Sequence, residues 1–429
     1  MERIEVIPTP GITPEHAVPG SKSYTNRALT IAAAADGTST LRGALISDDT
    51  RVARAALERL GVQVTYDDGA FCVHGRGGQF SDPGAPLFLG NSGTATRFLT
   101  AMLTLAGFAS TITGNERMQE RPIADLLAAL GQLGAEVASV RGNGCPPVRI
   151  GATRLQGGRA TVSGAISSQF LSALLMAAPY ARQDVVLEVQ DTLVSVPYVD
   201  LTLDIMARFG VEVTHDDYRL FRIPGRQVYA ARDYAIEGDA SSASYFWGLA
   251  ALLGQDMCVT NVPPDSVQGD TRFLQVLERM GCTVSRRQGW QVAGPQQLRA
   301  LGDIDLNALP DAAMTVAVLA AFCQGETRLC NIANLRVKET DRLRALATEL
   351  RKIGAAVTEW PDGLHIDGNP AALHGAEIDT YDDHRMAMCF GMAGARLPGL
   401  RIREPGCVAK TYPGFWDDLR RVGVPVEKV

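Results

Sequence analysis

The sequence lacks the features that mark several whole classes of protein. Its eight cysteines (Cys72, Cys145, Cys258, Cys282, Cys323, Cys330, Cys389 and Cys407) stand singly, with no CxxC pair. A thiolate zinc site is therefore not expected, and free thiols in a reducing cytosol are. No apolar run is long: stretches such as Ala312–Cys323 reach about a dozen residues, short of the roughly 20 needed to span a bilayer. The opening MERIEVIPTP reads as a strand without a signal-peptide core, so the expected location is the cytoplasm. There is no basic excess. A net charge of −6 argues against nucleic acid or an anionic membrane as partner. The nucleotide P-loop spelling GxxxxGK[ST] is missing, because Ser21 separates Gly20 from Lys22. With no Ser-His-Asp arrangement and no metal-ligand spacing, no metal and no cofactor are expected.

What is present is a 429-residue chain of ordinary globular composition, 46% apolar and 21% charged, enough for two or three domains. It repeats. Six Ala-rich segments begin near Ser23, Ser92, Ser167, Asp239, Asp311 and Asp383, at spacings of 69, 75, 72, 72 and 72 residues. Ser and Asp are N-cap residues, so each is read as a helix start. Several of these segments stop at a glycine (Gly37, Gly107, Gly254, Gly325). A second signal runs in register: a helix ending before a glycine, then a strand, a turn and a strand, as in RLGVQVTYDDGAFCVHG and KIGAAVTEWPDGLHIDG. These glycines are Gly61, Gly134, Gly210, Gly281, Gly354 and Gly423, and each suits a helix C′ position needing φ > 0. The last copy, RVGVPVE, is truncated. One helix of each unit is amphipathic, like Asp341–Lys352. The other is apolar nearly all round, like Thr94–Ala106, and must be buried on all sides. Two globular halves with internal pseudo-threefold symmetry are the simplest packing. A linear solenoid is the alternative, with a repeat near 70 residues longer than solenoids use.

The polar motifs sit at or near the helix starts, where roughly half a positive charge accumulates. VPGSKSYTNRA sets Lys22, Ser23 and Arg27 around the first. Cations there oppose the dipole, so either an anion lies between them or this is a surface helix entry. LGNSGTATRFL offers Gly93, which lets a ligand reach backbone N–H groups, with Arg97 one turn in; a tight strand–helix turn would read the same way. NERMQERPIADLL brings Arg117 and Arg121 to a helix with Pro122 at N1. SGAISSQFLSALL supplies Ser167, Ser168 and Gln169, which suit a phosphate, a polyol or plain capping. PDAAMT places Asp311 at a cap. NLRVKETDRLRALATEL packs Lys338, Glu339, Asp341, Arg342 and Arg344 into a charge run that a solvated face would also explain. DDHRMAMCF adds His384 and Arg385 before an apolar helix, and CVAKTYPGFW adds Lys410. The first half thus supplies hydroxyls, amides and cations, and the second supplies Asp311 and Glu339 among cations. Carboxylates so placed stay ionised and accept protons. The pattern asks for cofactor-free proton transfer on a substrate carrying several negative charges.

Taken together, PGSKSYTNRAL, LGNSGTATR, ERPIADLL, SSQFLSALL, SVPY, LPDAAMT, NLRVKETDRL, DDHRMAM and AKTYPGFW resemble the 5-enolpyruvylshikimate-3-phosphate synthase family, in its order and over nearly the whole chain. The resemblance implies an α/β fold of two globular domains. Each would hold three βαβαββ units, with buried parallel helices surrounded by sheets (an inside-out α/β barrel). It implies transfer of the enolpyruvyl group of phosphoenolpyruvate to shikimate 3-phosphate, without cofactor, by a cytoplasmic monomer. Residues 1–19 and 236–429 would form one globe and 20–235 the other, with a double-crossover hinge near 19–20 and 235–239. Lys22, Ser23, Arg27, Ser167, Ser168, Gln169, Ser195, Tyr198, Asp311, Asn334 and Lys338 look like shikimate 3-phosphate contacts. Lys22, Asn91, Gly93, Arg121, Gln169, Arg342, His384, Arg385 and Lys410 look like the phosphoenolpyruvate cradle. Asp311 and Glu339 look like the proton-transfer carboxylates, with Lys22 assisting. Glyphosate occupies the phosphoenolpyruvate site in this family, and the retained Gly93 and Thr94 imply sensitivity. Two departures stand out: Phe98 where many members have proline, and Val196 where a lysine is common. The rivals are UDP-N-acetylglucosamine enolpyruvyl transferase, which commonly carries a loop cysteine absent from Gly114–Arg121, the RNA 3′-terminal phosphate cyclases, and a non-catalytic anion-binding homologue.

Overall fold

The protein is described here by a computed structural model covering residues 2–429. It forms two compact units, one of the residues up to Pro19 with Glu237–Val429, the other of Gly20–Ile236. Each has its own apolar core.

Each unit contains three four-stranded sheets of one pattern: a parallel pair, then two antiparallel neighbours. In Gly20–Ile236, Gly158–Ser163 runs parallel to Val185–Gln190, which pairs antiparallel with Leu220–Ile223, and that strand with Thr214–Asp216. The parallel step needs a crossover, and a buried helix supplies it. Here the crossover is Ser168–Ala177, in which only Gln169 is not fully buried. The last sheet of the other unit shows how the truncated repeat is completed. Arg3–Val6 lies between Val426–Lys428 and Leu400–Arg403, antiparallel to both. Two short strands also change sheets. Glu15–His16, which precedes the first buried helix, pairs with Asp256–Val259, whereas Asp233–Ala235 pairs with Asp36–Arg42.

The buried helices are Lys22–Ala34, Gly93–Leu103, Ser168–Ala177, Ala240–Leu253, Ala313–Ala321 and His384–Gly394. Small residues bring them close: a Cβ at Gly248 would lie 2.6 Å from Met392 Sδ. Four are capped as the sequence suggests in kind, by Ser21, Ser167, Asp239 and Asp383. Two details differ. Ser21 rather than Ser23 caps the first helix, its hydroxyl accepting from the Tyr24 N–H. Asp311 is not a cap at all: Ala312 holds that position, and the aspartate is bound elsewhere. Pro122 is likewise not at N1, since its helix begins at Ala124. All six repeat glycines have φ between 83° and 102°, beyond the reach of ordinary side chains at low cost. Of the other glycine set, only Gly254 is itself a helix cap, in the left-handed conformation. All eight cysteines are free thiols.

Candidate active site

In the Gly20–Ile236 unit the functional side chains cluster on the starts of the buried helices. Arg27, on the second turn of Lys22–Ala34, is 1% exposed. Its guanidinium donates to Thr202 Oγ1 (2.8 Å), Ser172 Oγ (3.4 Å) and the carbonyls of Ser23 (3.2 Å) and Tyr198 (3.0 Å). Every acceptor is neutral, and burial pushes this arginine down to about 10. Four of its five N–H donors are used. Phe98 lies beneath it, ring centroid 5.1 Å from Cζ. So the residue that departs from the family pattern packs on a candidate ligand group, in addition to supporting its helix. A buried cation with only neutral partners is poised to take an anion.

Lys22 opens the same helix, its Nζ 3.9 Å from Asp49 Oδ2. Arg121 donates from Nη1 to both the backbone oxygen and Oδ1 of Asn91, each at 3.1 Å. Gly93 begins its helix beneath two guanidinium groups: an added Cβ would lie 2.5 Å from Arg97 Nη1 and 2.7 Å from Arg121 Nη2. The glycine therefore makes room first for these arginines. Ser167 caps Gln169, and the Gln169 amide donates to Thr94 Oγ1 at 3.3 Å, tying two helix starts together. Ser168 is buried at that turn. Ser195 is buried with φ 57°, next to the helix Pro197–Arg208 that carries Tyr198.

In the other unit Arg342 is the centre. It is 1% exposed and meets three carboxylates: Asp383 (2.7 and 3.2 Å), Glu339 (2.9 Å) and Asp311 (3.2 Å). Burial works against its charge, and the three carboxylates more than reverse that, holding it above its ordinary range. The charge run is thus no solvated face at this residue. The second oxygen of Asp311 takes Arg385 at 2.7 Å, and Arg385 also donates to the Tyr245 hydroxyl at 3.2 Å. Lys410 Nζ lies 4.0 Å from Glu339 Oε1. His384 is fully buried, 3.5 Å from Asp383. Asn334 is buried in the short helix Ala333–Val337, and Lys338 follows it. The structure thus joins Asp311, Glu339, Arg342, Arg385 and Lys410 in one ionic network. Lys338 immediately precedes Glu339 in sequence, and Asn334 precedes the same glutamate from within that short helix.

Sequence reasoning missed the residues that hold these groups. Asp383 was read only as a helix start, yet it grips Arg342 with both oxygens. Asp49 lies in the first turn of Asp48–Arg59, where an acid reads simply as a partner of the helix dipole. Thr202 and Ser172 are unremarkable helix residues until the fold brings them to Arg27.

Comparison with known proteins gives the family. The family model described as EPSP synthase (3-phosphoshikimate 1-carboxyvinyltransferase) matches residues 10–419. The 3-phosphoshikimate 1-carboxyvinyltransferase of Shewanella denitrificans is 48% identical over 426 residues, covering 98% of this chain and 99% of that protein. That of Serratia proteamaculans is 49% identical over 410 residues, 94% and 95% covered. A solved structure of EPSP synthase from Acinetobacter baumannii superposes with a TM-score of 0.83 at 28% identity, over 100% of both chains. The enolpyruvyl transferase NikO from Streptomyces tendae, at 18% identity and a TM-score of 0.79, shares the fold. With a match that spans nearly the whole chain, this protein belongs to the EPSP synthase family.

Proposed function

We propose that the protein transfers the enolpyruvyl group of phosphoenolpyruvate to the 5-hydroxyl of shikimate 3-phosphate, releasing phosphate, in the shikimate route to aromatic amino acids. The observation that carries this reading is the Arg342 network: two candidate proton-transfer carboxylates, Asp311 and Glu339, share one buried guanidinium. The substrates bring two phosphates and two carboxylates together. Their repulsion must be offset by fixed cations and helix N-termini.

In this reading Arg27 with Ser23, Ser167, Ser168, Gln169, Ser195, Tyr198, Asn334 and Lys338 takes shikimate 3-phosphate. Lys22, Asn91, Gly93, Arg121, Gln169, Arg342, His384, Arg385 and Lys410 serve phosphoenolpyruvate. The hydroxyl proton passes to Asp311 as its oxygen bonds to C2 of phosphoenolpyruvate, while Glu339, which takes up a proton from solvent as the substrates bind, passes it to the methylene at C3. The tetrahedral adduct then returns a proton from the new methyl group to Glu339 as the C2–O bond to phosphate breaks, restoring the double bond. Lys22 lends positive charge to both steps. Family membership and the ionic pairing of both carboxylates support these roles.

The finer parts belong to the same proposal. The chain passes between its two units near Pro19–Gly20 and again near Ile236–Glu237. We take these passages as a hinge. The protein is read as a cytoplasmic monomer without nucleic-acid or membrane partners, a state that sedimentation would test. Glyphosate is expected to compete with phosphoenolpyruvate; inhibition that added phosphoenolpyruvate does not relieve would refute this. Mass spectrometry of a reaction given both substrates should find shikimate 3-phosphate enlarged by an enolpyruvyl group. Product only with UDP-N-acetylglucosamine as acceptor, or none from folded protein, would overturn the assignment.

A further inference from the structure

One buried polar network lies outside all of these roles. His16 sits on the short strand Glu15–His16, three residues before the passage at Pro19–Gly20, and is 7% exposed. Its ring packs on Phe246 with centroids 4.1 Å apart. Its Nε2 lies 3.0 Å from the Tyr412 hydroxyl and 3.5 Å from Asp418 Oδ2, and the hydroxyl lies 2.6 Å from that same oxygen. Asp418 belongs to the helix Phe415–Arg421 and also pairs with Arg421. The chemistry gives the chain a direction. Tyr412 has one hydroxyl hydrogen, and the carboxylate can only accept it, so His16 must donate from Nε2. Burial would raise the Asp418 carboxyl, but the bonds from His16 and Tyr412, with Arg421, outweigh it and keep the group ionised. Burial and Asp418 together hold the Tyr412 hydroxyl well above its ordinary range, so it stays a donor.

The network joins two distant parts of the chain, since Asp418 lies only six residues beyond Tyr412. His16 and Tyr412 are 396 residues apart in sequence. Tyr412 follows Lys410 by two residues, just past the short helix Pro405–Lys410, and its N–H returns to the Val408 carbonyl at 2.8 Å. A tether on the Tyr412 oxygen therefore fixes the backbone that aims Lys410 toward Glu339. We propose that Tyr412, held between His16 and Asp418, is a positioning residue for Lys410, and that it links the Glu15–His16 strand to phosphoenolpyruvate binding. This rests on the assignment of Lys410 to phosphoenolpyruvate given above.

The test is Tyr412→Phe, which removes one oxygen and keeps the buried ring, alone and combined with Lys410→Gln. Tyr412→Phe should raise KM for phosphoenolpyruvate about tenfold, the size expected for a lost charge-assisted hydrogen bond. KM for shikimate 3-phosphate should stay within about twofold. In the Lys410→Gln background the change should add nothing. An unchanged KM, an equal rise for both substrates, or full additivity would overturn the proposal. If Lys410→Gln alone leaves KM for phosphoenolpyruvate unchanged, the parent assignment fails instead, and this inference with it. Should Tyr412→Phe not fold, Asp418→Asn keeps an acceptor for Tyr412 without the charge. It should shift the same KM in the same direction by a smaller factor; no selective shift refutes the proposal.

Discussion

Replacing Arg27 by glutamine separates binding from stability. The guanidinium is fully buried, and burial lowers it to about 10. At about 1.4 kcal/mol per tenfold change in proton affinity, that is an unfavourable term of roughly 3 kcal/mol in the free protein. Its four hydrogen bonds return about 1 kcal/mol each, and Phe98 adds a cation–π contribution of about 1–2 kcal/mol. The penalty cancels about half of the favourable terms and leaves a net of only about 2–3 kcal/mol. Arg27→Gln keeps one or two bonds and loses the charge penalty, so the unliganded melting temperature should move by no more than about 5 °C. Binding has no such cancellation. Removing the charge that faces a substrate anion in a dry site costs about 2–5 kcal/mol, which raises KM for shikimate 3-phosphate by at least about thirtyfold. Steady-state kinetics and thermal melts with and without shikimate 3-phosphate read both quantities. A melting temperature lowered by more than about 15 °C with KM nearly unchanged would show Arg27 to be a structural residue and refute the reasoning.

Three further outcomes follow from the same geometry. Glu339→Gln keeps an acceptor for Arg342 but cannot deliver a proton at neutral pH; turnover should fall at least about a hundredfold while calorimetry still shows shikimate 3-phosphate binding, and near-normal turnover sinks the role. Gly93→Ala displaces the flexible ends of Arg97 and Arg121 and leaves the fold intact, so KM for phosphoenolpyruvate should rise about tenfold or more; an unchanged value contradicts the close approach. Asp270 is buried, hydrogen-bonded by Ser241, and raised to about 7 by burial and then by Asp311, against the pull of Arg385. A carboxyl raised on folding contributes stability that is complete at low pH and is lost as pH climbs through about 4 to 7. Asp270→Asn should therefore gain on the wild type in the unfolding free energy read from urea titrations between pH 5 and 7.5, by roughly 2 kcal/mol; parallel profiles would disprove it.

Local requirements were legible in the sequence where one residue type answers them. The repeat glycines were found because a helix C′ turn needs positive φ, and all six have it. The buried helices were found because a helix apolar all round has nowhere else to go. The cap positions were less secure. Ser21 and Ser23 both satisfy the pattern, and only the chain's entry angle decides between them. Asp311 was read as a cap because aspartate favours caps. Its carboxylate instead bridges Arg342 and Arg385, 31 and 74 residues away, contacts that no local pattern encodes. The same limit hid Asp383, Thr202 and Ser172 as supports, and left the register of Arg3–Val6 between Leu400–Arg403 and Val426–Lys428 unspecified, although that strand was expected to lie with the C-terminal residues. The site types were legible because positive charge at a helix start is locally costly. The partners that make the charge tolerable are non-local.

Phosphate release tests the central claim most directly. The protein is given shikimate 3-phosphate and phosphoenolpyruvate together, each alone, and phosphoenolpyruvate with UDP-N-acetylglucosamine. Release that requires the first pair, and is lost in Glu339→Gln, is the predicted result. Release from phosphoenolpyruvate alone, release only with UDP-N-acetylglucosamine, or none from a folded sample would contradict it.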